Sequence, residues 1–193
     1  DWLQRRGVAR ELASIVHRTK SGDPFPKACI VGMVWNLAMG DGNRRWKSSL
    51  GEAFMPLLPE LLADPSDVVL QRFCTAVFHV TKLPENARLG REALLASKDP
   101  HLLLHALDRL NDERKFHLLD ALGNMLELDE KEQQHSFVMQ ILPCIEQLPL
   151  SELFMKVSSE DANIDRHCTN LAKAVLKIMM MASTLAAPAL LSL

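Results

Sequence analysis

Apolar residues recur along this chain at intervals of three and four, the spacing that gathers them on one side of an α-helix. Val69, Phe73, Ala76, Val77 and Val80 follow it, as do Leu118, Leu119, Leu122, Met125 and Leu126. Residues 2–18 predict an earlier amphipathic helix with Leu12, Ile15 and Val16 on one face. Breaker residues separate the runs: Ala63-Asp64-Pro65-Ser66-Asp67 and Arg109-Leu110-Asn111-Asp112 each end one helix and cap the next. A helix with a single apolar stripe does not bury it alone, so such helices must stack on neighbours and share a continuous core. Val77, Val80, Leu119, Leu122 and Met125 are the expected core.

The pattern repeats. Met33-Val34-Trp35-Asn36-Leu37 returns 43 residues later as Ala76-Val77-Phe78-His79-Val80, and 45 residues after that as Ala121-Leu122-Gly123-Asn124-Met125. Asn43 and Arg45 return as Asn86 and Arg88, and Pro56, Pro100 and Pro143 follow at spacings of 44 and 43. A period of this length marks a stacked array. Each of these prolines is expected in the first turn of a helix, where its missing N–H has no intrahelical partner to lose, with Asp99 as a cap before Pro100. The predicted unit is a short helix near Arg44 to Leu50, a Leu-rich helix near Pro56 to Ala63 and a long helix near Asp67 to Lys82.

Val34-Trp35-Asn36-Leu37-Ala38 followed by Gly40-Asp41-Gly42-Asn43-Arg44 resembles the end of an armadillo third helix and the start of the next unit. The resemblance covers residues 28–145, with HEAT repeats, of similar length, as the nearest confusion. It implies an all-α, right-handed α-solenoid of three-helix repeats forming a single domain. An incomplete first unit would span about 1–39, full units 40–82 and 83–128, a stretched last unit 129–181 and an apolar tail 182–193. Ala174-Val175-Leu176-Lys177-Ile178 would match Ala121 to Met125 at a distance of 53, which requires an insertion around Leu148 to Asp165.

Composition agrees with an all-α chain: 48% of the 193 residues are apolar, only 5% are aromatic, and Tyr is absent. Charge is polarised. Residues 1–50 carry nine Lys/Arg against four acids, a net of +5, whereas residues 111–165 carry twelve acids against four bases, a net of -8. Cys29, Cys74, Cys144 and Cys168 lack metal or redox spacing and read as buried reduced thiols of a cytoplasmic or nuclear protein.

Chemistry-bearing motifs are missing: the sequence has no P-loop, no Gly-rich dinucleotide turn, no GxSxG and no HExxH, so no catalytic residue or cofactor is expected. His101 and His105, an i,i+4 pair in line with Asp108, lack the further ligands zinc needs, and no metal is expected. Arg5, Arg6 and Arg10 make a basic face, but a pI of 6.4 and no interleaved aromatics speak against nucleic acid. Ile178 to Leu193 is uncharged yet shorter than a spanning helix, which speaks against a membrane anchor. Three successive methionines, Met179 to Met181, suit an adaptable contact surface.

The function expected is that of a protein-interaction scaffold or adaptor, binding a protein or extended peptide within a larger complex. The alternatives are a purely structural subunit and a membrane-associated adaptor using the tail. By the armadillo resemblance, third helices line a groove and an Asn ladder grips a peptide backbone. The ladder positions here are Asn36, His79 and Asn124, with Lys177 in the stretched unit. Thr75 and Asp120, with Gly32, form a second row one turn away, where nuclear-import receptors carry Trp. Both rows are expected to be exposed. Trp35, adjacent to Asn36, is expected in the core.

Overall fold

The computed structural model describes residues 7–19, 24–39, 44–97, 99, 101–128, 131–148, 172–176, 178–180 and 183. Among them every regular element is helical and there is no strand. The helices are α1 (Val8–Arg18), α2 (Pro24–Met39), α3 (Arg44–Phe54), α4 (Leu58–Leu62), α5 (Asp67–Val80), α6 (Pro84–Leu95), α7 (Leu102–Asp108), α8 (Asp112–Leu126) and α9 (Lys131–Glu146). A 3-10 turn, Met55–Leu57, joins α3 to α4, and residues 172–176 and 178–180 are helical.

Local sequence sets the boundaries. The Ser66 hydroxyl accepts from the Val69 N–H to cap α5, and the Asn111 amide oxygen accepts from the Arg114 N–H at 3.0 Å to cap α8. Asp112 and Glu113 then place negative charge at the positive end of α8. Pro56 lies in the 3-10 turn and Pro59 and Pro84 in first turns, where a missing N–H costs little. Pro143 departs from the expectation by lying inside α9. Met139, whose carbonyl loses its intrahelical partner, and Pro143 are both exposed, so the break in the hydrogen-bond ladder falls on residues open to solvent rather than in the core. Gly7, at φ 65°, supplies a left-handed residue before α1. The buried stripe of α1 is Ala9, Ala13 and Val16, with Ile15 37% exposed, so small residues rather than Leu12 and Ile15 bring this helix against the core.

Helices one period apart pack on one another. α2, α5 and α8 are neighbours in that order, α1, α3, α6 and α9 likewise, and α4 packs on α7. Between these columns lies one core, in which Val77, Val80, Leu119, Leu122 and Met125 are each at most 1% exposed. Polar ties cross the units at close to one period: Arg72 donates to the Ala28 carbonyl at 2.8 Å, Arg109 to the Asp64 carbonyl at 2.8 Å and Gln140 to the Leu94 carbonyl at 3.1 Å.

Two buried features fix the register. Asp64 pairs with Lys27 at 2.8 Å, both side chains largely out of water, while its other oxygen accepts from the Ser66 N–H at 3.0 Å. Arg109 then grips the Asp67 carboxylate at 2.7 and 2.9 Å. On the opposite column Asn86, fully buried, donates to the Lys47 and Val80 carbonyls at 2.8 and 3.0 Å. Its amide presses on Gly51 so closely that a Cβ there would lie 1.9 Å from the amide oxygen.

Cys74 and Cys144 are buried and Cys29 is half-buried. Burial pushes the Cys74 thiol up to about 12, with the Arg114 charge opposing, and Cys144 up to about 11, with the Asp108 charge adding to the burial.

Asp64→Ala strands a buried ammonium and is expected to cost about 3–5 kcal/mol in urea unfolding; Gly51→Ala, which overfills a packed contact, is expected to cost about 1–3 kcal/mol. Losses under about 0.5 kcal/mol would show that neither contact is tight. Alkylation mapped by mass spectrometry should modify Cys29 in the native protein and Cys74 and Cys144 only after unfolding; equal native rates would contradict their burial. Because both folded thiols titrate higher than unfolded ones, their contribution is complete below the ordinary thiol value of 9.0 and is lost as pH rises toward 11 to 12. Stability should therefore fall across that window by up to about 1.4 kcal/mol per pH unit for each thiol.

Candidate partner-binding face

α2, α5 and α8 carry the residues expected to bind a partner, apart from Lys177. Asn36 on α2 is exposed, whereas His79 on α5 and Asp120 and Asn124 on α8 are half-buried. Asn124 reaches across to α5, its amide nitrogen 3.5 Å from the Thr81 hydroxyl. A recess of about 480 Å³ opens beside Asn124, lined also by Lys82, Arg88 and Glu127.

Thr75 corrects the expectation of an exposed second row: it is only 2% exposed. Its hydroxyl lies 3.2 Å from the Gln71 carbonyl and 3.2 Å from His117 Nδ1, and it accepts from Arg114 at 2.7 Å. Arg114 also donates to Glu113 at 3.1 Å and stands 3.2 Å from His117 Nδ1, which serves as its acceptor only when that nitrogen is unprotonated. Gly32, in the same expected row, lies against the Arg72 guanidinium, 3.3 Å from where its Cβ would stand. The chain's own arginines thus cover two positions of that row.

The sequence reading passed over the aromatic strip along this face. Phe78 stacks on His117 with ring centroids 4.7 Å apart and 25° between planes, meets Phe116 at 5.5 Å and meets the His79 ring edge-on at 4.9 Å. Lys82 Nζ lies 4.4 Å above the Phe78 ring, and the Arg114 guanidinium lies 5.6 Å from the Trp35 ring. Such contacts hold cations over aromatic faces. Trp35 itself is half-buried against the core, and its indole N–H is buried without a hydrogen-bond partner. The signal lay in a spacing of 42 or 43 rather than 45. The caps Ser66 and Asn111 are 45 apart, yet the residues that touch, Thr75 with His117 and Thr81 with Asn124, are 42 and 43 apart. Neighbours across the column are therefore offset from repeat equivalents by most of a helical turn.

The other sequence candidates carry less. His101 and His105 are exposed with ring centroids 6.0 Å apart, and Asp99 accepts from the His101 N–H at 2.9 Å just ahead of α7, which begins at Leu102. No group of three or more His, Cys, Asp or Glu among the described residues is placed to hold a metal. No helix among them is long and apolar enough to cross a membrane. Arg10 is exposed, 4.0 Å from Glu52. Arg5, Arg6, Pro100, Cys168, Lys177, all but Leu148 of the expected insertion around Leu148 to Asp165 and most of the apolar tail lie outside the described residues.

No protein-family profile matches the chain, and no curated protein matches it either. Among solved structures, a crystal structure of an engineered protein from a structural genomics consortium is 17% identical and matches over 92% of both chains, but with a TM-score of 0.26, at which similarity supports no argument about fold or function.

Proposed function

We propose that this chain is a protein-interaction module of the armadillo type, a right-handed helical solenoid that holds an extended segment of a partner protein along α2, α5 and α8. The observation that carries this reading is the unbroken series of three third helices, each packed on the next, with Asn36, His79 and Asn124 retaining access to solvent. An amide donates and accepts at once, so it pairs with a peptide unit whatever its side chain, and successive helices offer such pairs along a strand. Asp120 contributes an acceptor on α8, while Thr75 acts from beneath, fixing Arg114 and His117.

The same face argues for a particular kind of partner. A basic peptide is typically gripped by free aromatic faces, but here Phe78 and Trp35 already carry Lys82 and Arg114. The partner is accordingly held by backbone hydrogen bonds rather than by clamped lysines. The reading assigns no reaction and no cofactor, and places the module in the cytoplasm or nucleus.

Selection of peptides from a random displayed library, followed by titration, tests this. Asn124→Ala should weaken the selected peptides by about 1–3 kcal/mol with unfolding unchanged, and Asn36→Ala combined with it should weaken them further. Thr75→Ala should instead lower stability by about 1–3 kcal/mol through the stranded Arg114 and His117. Peptides that bind the asparagine variants as well as the wild type would remove the proposed face.

A further inference from the structure

Two arginines of this face are each tied down through a single nitrogen. Arg72 on α5 donates from Nη1 to the Ala28 carbonyl of α2 at 2.8 Å, and the same nitrogen stands 3.3 Å from where a Gly32 Cβ would be. Arg114 on α8 donates from Nη1 to the Thr75 hydroxyl of α5 at 2.7 Å and to Glu113 at 3.1 Å. Ala28 and Gly32 precede Gln71 and Thr75 by 43 residues each, and the Thr75 hydroxyl lies 3.2 Å from the Gln71 carbonyl. Arg72 and Arg114 thus make the same move onto the preceding helix, one step apart along α2, α5 and α8.

The other edge of each guanidinium is open. Among the described residues nothing accepts from Nε or Nη2 of either arginine, and none of these nitrogens is buried without a partner. Arg72 is half-buried, and the Arg114 side chain keeps 18% of its surface. Nε and Nη2 are parallel donors that a carboxylate accepts side by side. An arginine on a free side chain gives up much of that energy in being ordered. Here the ordering is already done. Nη1 is fixed, and the Arg114 guanidinium carbon lies 5.6 Å from the centre of the Trp35 ring, which leaves little motion for an incoming carboxylate to freeze.

Charge selects the kind of anion. Glu113 offsets part of the Arg114 charge and would repel a dianion such as phosphate, so each fork suits a single carboxylate. α5 and α8 pack side by side, which at roughly 8–10 Å between axes sets the two forks about three residues of extended chain apart. We infer that Arg72 and Arg114 are carboxylate receptors, and that the segment held along α2, α5 and α8 is acidic, with Asp or Glu side chains landing on both. This inference rests on the partner-binding reading above and names the chemistry of its partner: Asn36 and Asn124 hold the backbone, and the two arginines choose the side chains.

Fluorescence anisotropy of the full chain with two labelled probe peptides, one of four Gly-Glu-Glu triplets and one of four Gly-Gln-Gln triplets, tests the inference. The Glu probe should bind at least about tenfold more tightly. Arg72→Lys and Arg114→Lys keep the charge and lose the fork, so each should narrow that difference by at least about threefold. Arg45→Gln, which removes an exposed charge from α3 instead, should leave it unchanged. In the wild type the Nε–H NMR signals of Arg72 and Arg114 should move with the Glu probe and stay with the Gln probe, a readout that needs no variant to fold. Binding of neither probe, or a Glu preference with those signals unmoved, would overturn the inference. So would a preference that survives both lysine variants, or one that Arg45→Gln reduces as far. Equal binding of the two probes that Asn124→Ala weakens alike would leave the partner-binding face standing and remove only its acidic partner.

Discussion

α5 is apolar on two sides, and that constraint organises everything around it. Val69, Leu70, Phe73, Cys74, Ala76, Val77 and Val80 are all at most 1% exposed, far more of the circumference than one neighbour covers. The helix needs α2 on one flank, α8 on the other and the first helices beneath. Burying a side chain of this class is worth about 1.5–3 kcal/mol, so a third helix removed from its neighbours loses more than the small surplus by which any domain is stable. α5 is thus held by several helices at once rather than by any single neighbour.

Apolar contact alone leaves register open, and the polar ties close it. A stripe of Val, Leu and Ala tolerates sliding by a turn; a guanidinium aimed at one carbonyl does not. Arg72, Arg109 and Gln140 each reach back to a main-chain oxygen of a preceding helix or turn, giving that oxygen a donor at a fixed place along the neighbouring segment. Asn86 and Gly51 work by shape: the amide fills the space of an absent side chain and brings α3 and α6 together. These contacts add little net energy when made and cost much when half broken.

Much of this was legible in the sequence. The period, the order of short, Leu-rich and long helices, the caps at Ser66 and Asn111 and the core stripe of α5 and α8 all follow from spacing and turn chemistry. What escaped depends on how one helix lies beside another. Thr75 reads as a surface hydroxyl along its own helix; only the offset between α5 and α8 brings Arg114 and His117 over it. Lys27 and Asp64 are 37 residues apart, off the period, and nothing in either neighbourhood announces a buried pair. In α1 the rule that large residues go inside failed because close approach selects Ala9 and Ala13. Pro143 escaped because its position within a turn depends on where α9 begins. For the candidate face, the residue types were readable, but which aromatic surfaces were already occupied was not.

Asp64 meets Lys27 from the preceding unit with its side chain and Arg109 from the following unit with its main-chain carbonyl. In a linear array where stability is a sum of unit and nearest-neighbour terms, a residue shared this way couples second neighbours as well. Peeling α2 away exposes one charge and strands the other, and the loop that then loosens is the one that holds Arg109. Asp64 therefore ties the helix that carries Lys27 to the α7–α8 junction that carries Arg109, so a substitution at this one residue acts on both. One residue between α4 and α5, through its carboxylate on one side and its carbonyl on the other, joins parts of the chain that do not otherwise touch it.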